Sequence, residues 1–253
     1  MPDYQKRGLL TPEIRRRGIY ILPNLFTTAA LFAGFYAIVQ AMNQRFEQAA
    51  VAIFVAMVLD GLDGRVARMT RTQSAFGAEY DSLSDMVCFG AAPALIMYEW
   101  ALKSLGRLGW IAAFLYCAAA ALRLARFNTN IEVVDKRFFQ GLPSPAAAAL
   151  CAGLIWVIDD FQIARADVII GIACAITVFA GVTMVSNLPF YSFKTFNLRR
   201  SVPFWGVLLI VLAMVVVSSN PPMILFLLFV GYGCSGYVLW GWRRWRERKS
   251  GNA

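Results

Sequence analysis

Asp60-Gly61-Leu62-Asp63-Gly64-Arg65-Val66-Ala67-Arg68 and, a short way on, Gly77-Ala78-Glu79-Tyr80-Asp81-Ser82-Leu83-Ser84-Asp85 form the stretch on which this chain turns. The residues before it, Val51 to Leu59, are apolar throughout, and so are most of those from Met86 to Met97. A carboxylate at membrane depth is costly and seldom stands there without a partner or a task. Asp60, Asp63, Asp81 and Asp85 have no cluster of basic residues inside their own segments to neutralise them. Bound cations are the simplest source of the missing charge.

Working outward, the 253 residues are 59% hydrophobic with a mean hydropathy of +0.58, too apolar for a water-soluble domain. The apolar runs are continuous rather than alternating, which points to membrane helices and away from a β-barrel. An all-α polytopic bundle of about eight spans is expected, at 22–42, 47–68, 81–102, 109–127, 143–158, 167–188, 203–219 and 222–242. The first run passes signal-peptide length without a small-residue cleavage pattern, so it reads as a retained helix. Ahead of it, Thr11-Pro12-Glu13 has the form of a helix start and Arg15, Arg16 and Arg17 follow. Residues 1–21 are therefore expected to be a cytoplasmic, interfacial segment whose short helix, from Thr11, lies on anionic headgroups. Positive-inside anchoring accounts for the same arginines.

An even number of spans puts both termini on one side. Of the 24 Lys and Arg residues, Arg45, Lys103, Arg107 and Arg165 alone fall on the far side, so both termini should be cytoplasmic. A basic cytoplasmic face beside lipid headgroups accounts for the net charge of +9 without any nucleic-acid partner. The expected layout is one membrane-embedded domain over 1–253, with a bundle at 22–242 and a basic tail at 243–253. Cys88, Cys117, Cys151, Cys174 and Cys234 are scattered through apolar segments, which suits buried thiols rather than disulfides or zinc ligands. There is no histidine, so a general base must be a carboxylate or, failing that, a lysine or tyrosine.

By helical spacing Asp60, Asp63 and Ala67 share one face, and Asp81 and Asp85 share another on the next helix. Two such faces meeting give an all-oxygen cage suited to Mg²⁺ or Mn²⁺, and four carboxylates suffice for two ions. Gly64 and Gly77 lack side chains where a ligand would approach the backbone, and Arg68 stands one turn on, where it can fork onto phosphate. Each piece also has a plainer reading. Membrane-helix glycines serve as packing contacts, Arg68 reads as an interface residue, and four acids also suit a transporter's ion path.

The full spacing, D-x2-D-G-x2-A-R-x8-G-x3-D-x3-D, is identified as the signature of the CDP-alcohol phosphotransferase family, and this sequence matches it without departure. The chain resembles most the integral-membrane members that act on serine. The likeness runs through Pro23-Asn24-Leu25-Phe26-Thr27, Phe89-Gly90-Ala91-Ala92-Pro93, Leu122-Arg123-Leu124-Ala125-Arg126-Phe127-Asn128, Phe139-Gln140-Gly141-Leu142-Pro143-Ser144-Pro145 and Lys194-Thr195-Phe196-Asn197. The resemblance implies transfer of the phosphatidyl group of CDP-diacylglycerol to the hydroxyl of L-serine, releasing CMP, in a homodimer embedded among membrane phospholipid. It implies that Asp60, Asp63, Asp81 and Asp85 hold two divalent metals, that Asp85 also removes the hydroxyl proton, and that Asn24, Thr27, Gly64, Arg68 and Gly77, with Asp60 and Asp81, meet the CDP.

Serine itself needs a cation for its carboxylate and an acceptor for its ammonium. Candidates gather at the cytoplasmic helix ends: Arg123, Arg126 and Asn128, then Ser144 as an N-cap, then Asn187 and Lys194. The rival readings are the same transfer to glycerol 3-phosphate, inositol phosphate or choline, and a cation transporter using the four acids.

Overall fold

The computed structural model describes residues 12–70, 72, 74–129, 138–163, 167–191 and 204–250. Helix dominates: α1 (Pro12–Met42), α2 (Phe46–Thr70), α3 (Ala75–Asp85), α4 (Ala92–Trp100), α5 (Arg107–Thr129), α6 (Ser144–Asp160), α7 (Asp167–Val185), α8 (Phe204–Ser219) and α9 (Pro221–Ser250). Among the described residues, four helices are long and apolar enough to cross a membrane: Leu22–Met42 within α1, then α5, α7, and Pro221–Arg246 within α9. The remaining expected spans fall short for visible reasons. α2 carries acids and arginines in its final turns, and α6 and α8 have 17 and 16 residues, against the ~20 that a perpendicular span takes.

The span expected over 81–102 is a broken helix. α3 gives way to a π-helical turn, Met86–Ala91, then α4, then a 3₁₀ turn, Leu102–Leu105. Pro93 supplies the cause, since its nitrogen cannot donate and its ring crowds the carbonyl four residues back. That carbonyl, on Phe89, instead accepts the Tyr116 hydroxyl at 3.0 Å, so the break leaves no orphan. The turn expected across 69–80 is much shorter. α2 runs on to Thr70, and Ser74 caps α3, its hydroxyl accepting the Gly77 N–H at 3.0 Å. Asp81 therefore lies inside α3 and Asp85 is its last residue, next to the π turn, rather than both standing at a helix start.

The N-terminal expectation changes too. Among the described residues the helix runs without a break from Pro12 into the first span, where a separate short helix was expected, and Thr11 lies outside them. A lone glycine, Gly18, does not stop a helix whose neighbours all favour it.

A small sheet was not foreseen. β1 (Phe138–Gln140) pairs antiparallel with β2 (Pro189–Tyr191), Phe139 opposite Phe190, and ties the segment before α6 to the one after α7. Gly141 turns out of β1 with φ +78, and a Cβ there would collide with the Met184 carbonyl.

α6 forms the centre of the bundle, with Ala146 to Ala149 and Ala152 all buried, and α2, α7 and α9 pack around it. Small side chains permit close approach, as at Gly153, where a Cβ would stand 3.2 Å from the Phe226 ring. α1 packs along α2 more extensively than any other pair and also touches α3 and α4. All five cysteines are free; Cys88 and Cys151 are buried, whereas Cys234 is exposed.

Candidate active site

Asp60 and Asp63 project from α2, and Asp81 and Asp85 from α3. Carboxylate oxygens of Asp60, Asp63 and Asp81 lie within 4.8 Å of one another, with Asp63 buried and the other two half-buried. Asp85, one turn beyond Asp81, stands beside Asp60 and Asp81 and within electrostatic reach of Arg123. Three of the four acids thus form one cluster and the fourth adjoins it. Like charges this close disfavour one another unless a cation sits among them. The donor set is oxygen throughout, so the residues present fit Mg²⁺ or Mn²⁺.

α1 is the template that sets this spacing. The Thr27 hydroxyl donates to Asp63 Oδ2 at 2.8 Å, while the Thr27 carbonyl accepts from Ser84 Oγ of α3 at 3.2 Å. One turn on, the Cys88 thiol donates to the Ala30 carbonyl at 3.2 Å. Gly34 makes room for it, since a Cβ there would come within 2.7 Å of the Cys88 sulfur. Thr27 was expected to touch CDP; its observed work also includes holding two acid-bearing helices in register. The roles of Ser84 and Cys88 went unread, though Thr27, Ala30 and Gly34 facing Ser84 and Cys88 at helical spacing carry that signal.

Beside the acids lies a cavity of about 270 Å³ between α1, α2 and α3. Thr27, Asp63, Gly64 and Asp81 line it near the cluster, and Asn24, Gly77, Thr72 and Ser74 line it toward the α2–α3 turn. Five expected CDP contacts, Asn24, Thr27, Gly64, Gly77 and Asp81, are thereby gathered around one space. A Cβ on Gly77 would crowd Ser74 Oγ at 3.1 Å and Asn24 Oδ1 at 3.4 Å, so the glycine keeps that wall open. Asp60 and Arg68 do not line it. Arg68 is exposed, with its guanidinium over Gly64, where a Cβ would be 3.8 Å from Nη1. Thr72 and Ser74 were missed, because hydroxyl residues in a turn carry no sequence signal for a ligand.

The expected serine contacts assemble around the ends of α5 and α7 and the start of α6. Arg123 Nη1 donates to Ser144 Oγ at 2.7 Å, and its buried Nε has no hydrogen-bond partner among the described residues. Ser144 was expected to be the N-cap of α6. Instead Pro143 occupies that position, and Ser144 is the first helical residue, its hydroxyl turned to Arg123. The fixed proline φ suits the flanking position, which frees the serine for a side-chain contact. Arg126 donates to Asn187 Oδ1 at 3.2 Å and to the Ser186 carbonyl at 3.5 Å. Asn128 Nδ2 donates to Ser82 Oγ at 2.9 Å, which ties α5 to the acid-bearing α3. Lys194 lies outside the described residues.

A membrane-helix bundle with an oxygen-only acid cluster beside a small-molecule cavity defines the class, and the chain belongs to the CDP-alcohol phosphatidyltransferase family, whose model matches residues 20–182. It is 35% identical over 227 residues to the CDP-diacylglycerol–serine O-phosphatidyltransferase of Helicobacter pylori strain 26695, covering 90% of this chain and 92% of that protein. Proteins of the same name from Mycobacterium leprae and Methanocaldococcus jannaschii are 40% and 38% identical over 150 and 146 residues. Those matches cover 57% of this chain in each case, with 50% and 65% of the relatives.

Proposed function

We propose that this chain is a membrane enzyme that transfers the phosphatidyl group of CDP-diacylglycerol to the hydroxyl of L-serine, giving phosphatidylserine and CMP. The relatives' shared name supports serine as the acceptor. The structural observation that carries the reading is Arg123, a cation from a distant helix placed within electrostatic reach of Asp85. An amino acid held by its carboxylate on Arg123 presents its hydroxyl to that aspartate. Asp85 takes the hydroxyl proton, the serine oxygen attacks the phosphorus that carries diacylglycerol, and the bond to CMP breaks. Asp60, Asp63, Asp81 and Asp85 would hold two divalent ions, Mg²⁺ or Mn²⁺, which when bound neutralise the pyrophosphate charge. The cavity seats the nucleotide, and Arg68 at its edge forks onto phosphate.

A phosphorylated acceptor would need further cations at this place. Arg126 is engaged by Asn187 and Ser186, which favours serine over glycerol 3-phosphate or inositol phosphate. Asp60 and Asp63 lie in the C-terminal half of α2, and the cavity they adjoin reaches the α2–α3 turn, whereas a transporter places its ion site near the midplane, reached from both sides.

The reading includes a single domain of eight spans in the cytoplasmic membrane, both termini inside, assembled as a homodimer. The basic residues at the end of α9, Arg243, Arg244, Arg246, Arg248 and Lys249, support this orientation. Arg244 stacks on Trp240 at 4.6 Å and Arg246 on Trp242 at 3.9 Å, the amphipathic pairing of a headgroup region. Purified protein in lipid discs with Mn²⁺, labelled CDP-diacylglycerol and a panel of alcohols tests the function. Phosphatidylserine should form with serine alone in the panel; a product with glycerol 3-phosphate instead, or CMP release without any alcohol, would overturn it. Cysteine labels near residues 135 and 250 should react only from the cytoplasm and those near 105 and 162 only from outside.

A further inference from the structure

Thr72 and Ser74 belong to neither the acid cluster nor the acceptor groups, yet both line the cavity at its outer part, in the turn between α2 and α3. Thr72 is buried, and its backbone is pinned by its N–H to the Ala67 carbonyl at 3.1 Å. The hydroxyl chain around it has a defined polarity. Thr70 Oγ1 donates its single proton to the Val66 carbonyl at 2.8 Å. The contact of 2.7 Å between the Thr70 and Thr72 hydroxyls must then have Thr72 as donor. With its proton committed, Thr72 can offer the cavity only lone pairs. Ser74 keeps its proton to give, because its oxygen accepts the Gly77 N–H at 3.0 Å and a second lone pair remains beside the proton. One wall of the cavity therefore presents an acceptor and, two residues on, a donor.

We infer that Thr72 and Ser74 read the nucleobase, with Thr72 accepting from an exocyclic amino group and Ser74 donating to a ring acceptor. Cytosine offers that pair, an amino group at C4 beside an unprotonated N3. Uracil reverses both, with a carbonyl at C4 and an N–H at N3; the Ser74 hydroxyl can turn to accept from that N–H, but Thr72 would set lone pairs against the C4 carbonyl, so the discrimination rests on Thr72. The acid-lined end of the same cavity fixes the direction, since the pyrophosphate belongs beside Asp63 and Asp81 and the base must extend toward the turn. The inference rests on the cavity being the nucleotide seat, and it adds which residues choose the base and how.

The test is calorimetric titration of CDP and of UDP, with Mn²⁺ present, into the full-length protein in lipid discs. The wild type should prefer CDP by about tenfold or more, the scale set by one mismatched hydrogen bond in a half-buried site. Thr72→Val keeps the shape and removes the acceptor, so CDP binding should weaken several-fold, UDP binding should not, and the preference should collapse. Thr72→Ser restores the hydroxyl and should restore the preference, which separates base reading from a damaged fold. Thr72→Val with an undiminished CDP-to-UDP ratio would overturn the inference while leaving the nucleotide seat in place. Failure of the wild type to bind either nucleotide would remove the seat and the inference with it.

Discussion

On the donor side, the four aspartates come from α2 and α3, consecutive helices with α2 ending at Thr70 and α3 starting at Ala75. On the acceptor side, Arg123 of α5 meets Ser144 of α6, and Arg126 meets Asn187 beyond α7, contacts that reach across 21 and 61 residues of chain. The donor side draws its acids from a hairpin of neighbouring helices, with α1 holding them in register through Thr27. The acceptor side exists only once the β1–β2 pairing and the packing of α5 against α7 have brought distant segments together. A family that keeps one leaving nucleotide and varies the alcohol would be expected to divide its site this way. On the proposed assignment, the fixed chemistry would sit in a short motif and the variable recognition would be spread over separately adjustable elements.

The sharpest way to break the comparison is to alter the acids one at a time. Asp60→Asn, Asp63→Asn and Asp81→Asn should each lower turnover on the order of 10³-fold and weaken Mn²⁺ binding in parallel, measured by calorimetry. Asp85→Asn should lower turnover by about 10²- to 10⁴-fold while retaining more of the Mn²⁺ and CDP binding, because proton removal is its separate task. Equal loss of metal binding across all four would make Asp85 an ordinary ligand. Next in size is Arg123→Met, expected to raise KM for serine by about 30-fold or more and leave CDP affinity within about twofold. Weakened CDP binding in that variant would erase the division between donor and acceptor sides.

A smaller effect should follow from Thr27→Val, which removes the hydrogen bond to Asp63 without touching a substrate carboxylate. Loss of such a supporting partner typically costs about tenfold in metal affinity, and the serine KM at saturating metal should not move. Asn128→Ala is expected to matter least. Asn128 is spent on Ser82, so its loss should cost about 1 kcal/mol of stability by thermal melting, with serine KM changed less than about threefold. A KM change as large as that of Arg123→Met would return Asn128 to the list of residues that touch serine.

How much could be read in advance follows the same division. Aspartates at i, i+3 and i, i+4 must share a helix face wherever the helix goes, so the cluster and its oxygen-only chemistry were legible from spacing, whereas the place of Asn24 and Thr27 beside them was implied by the family resemblance alone. The apolar runs likewise announced a helical membrane protein. Boundaries were less legible where a tertiary partner decides them. Pro93 was in plain view, but that its break would become a π turn depended on Tyr116 being placed to receive the freed Phe89 carbonyl. Ser144 looked like a cap because serine often is one; the guanidinium waiting on α5 drew it to a different task.

The sequence by itself therefore determined the fold class and the acid motif, because both rest on periodicities that a helix imposes within a few residues. Only the tertiary structure decided that Thr27 joins two acid-bearing helices through one residue, that Asp85 stands within electrostatic reach of Arg123, and that the Thr70 and Thr72 hydroxyls meet at 2.7 Å in the wall of the cavity. Each of these depends on the direction of a side chain against a partner far away in the chain. Such directions are set by close packing of whole helices, which no local spacing encodes.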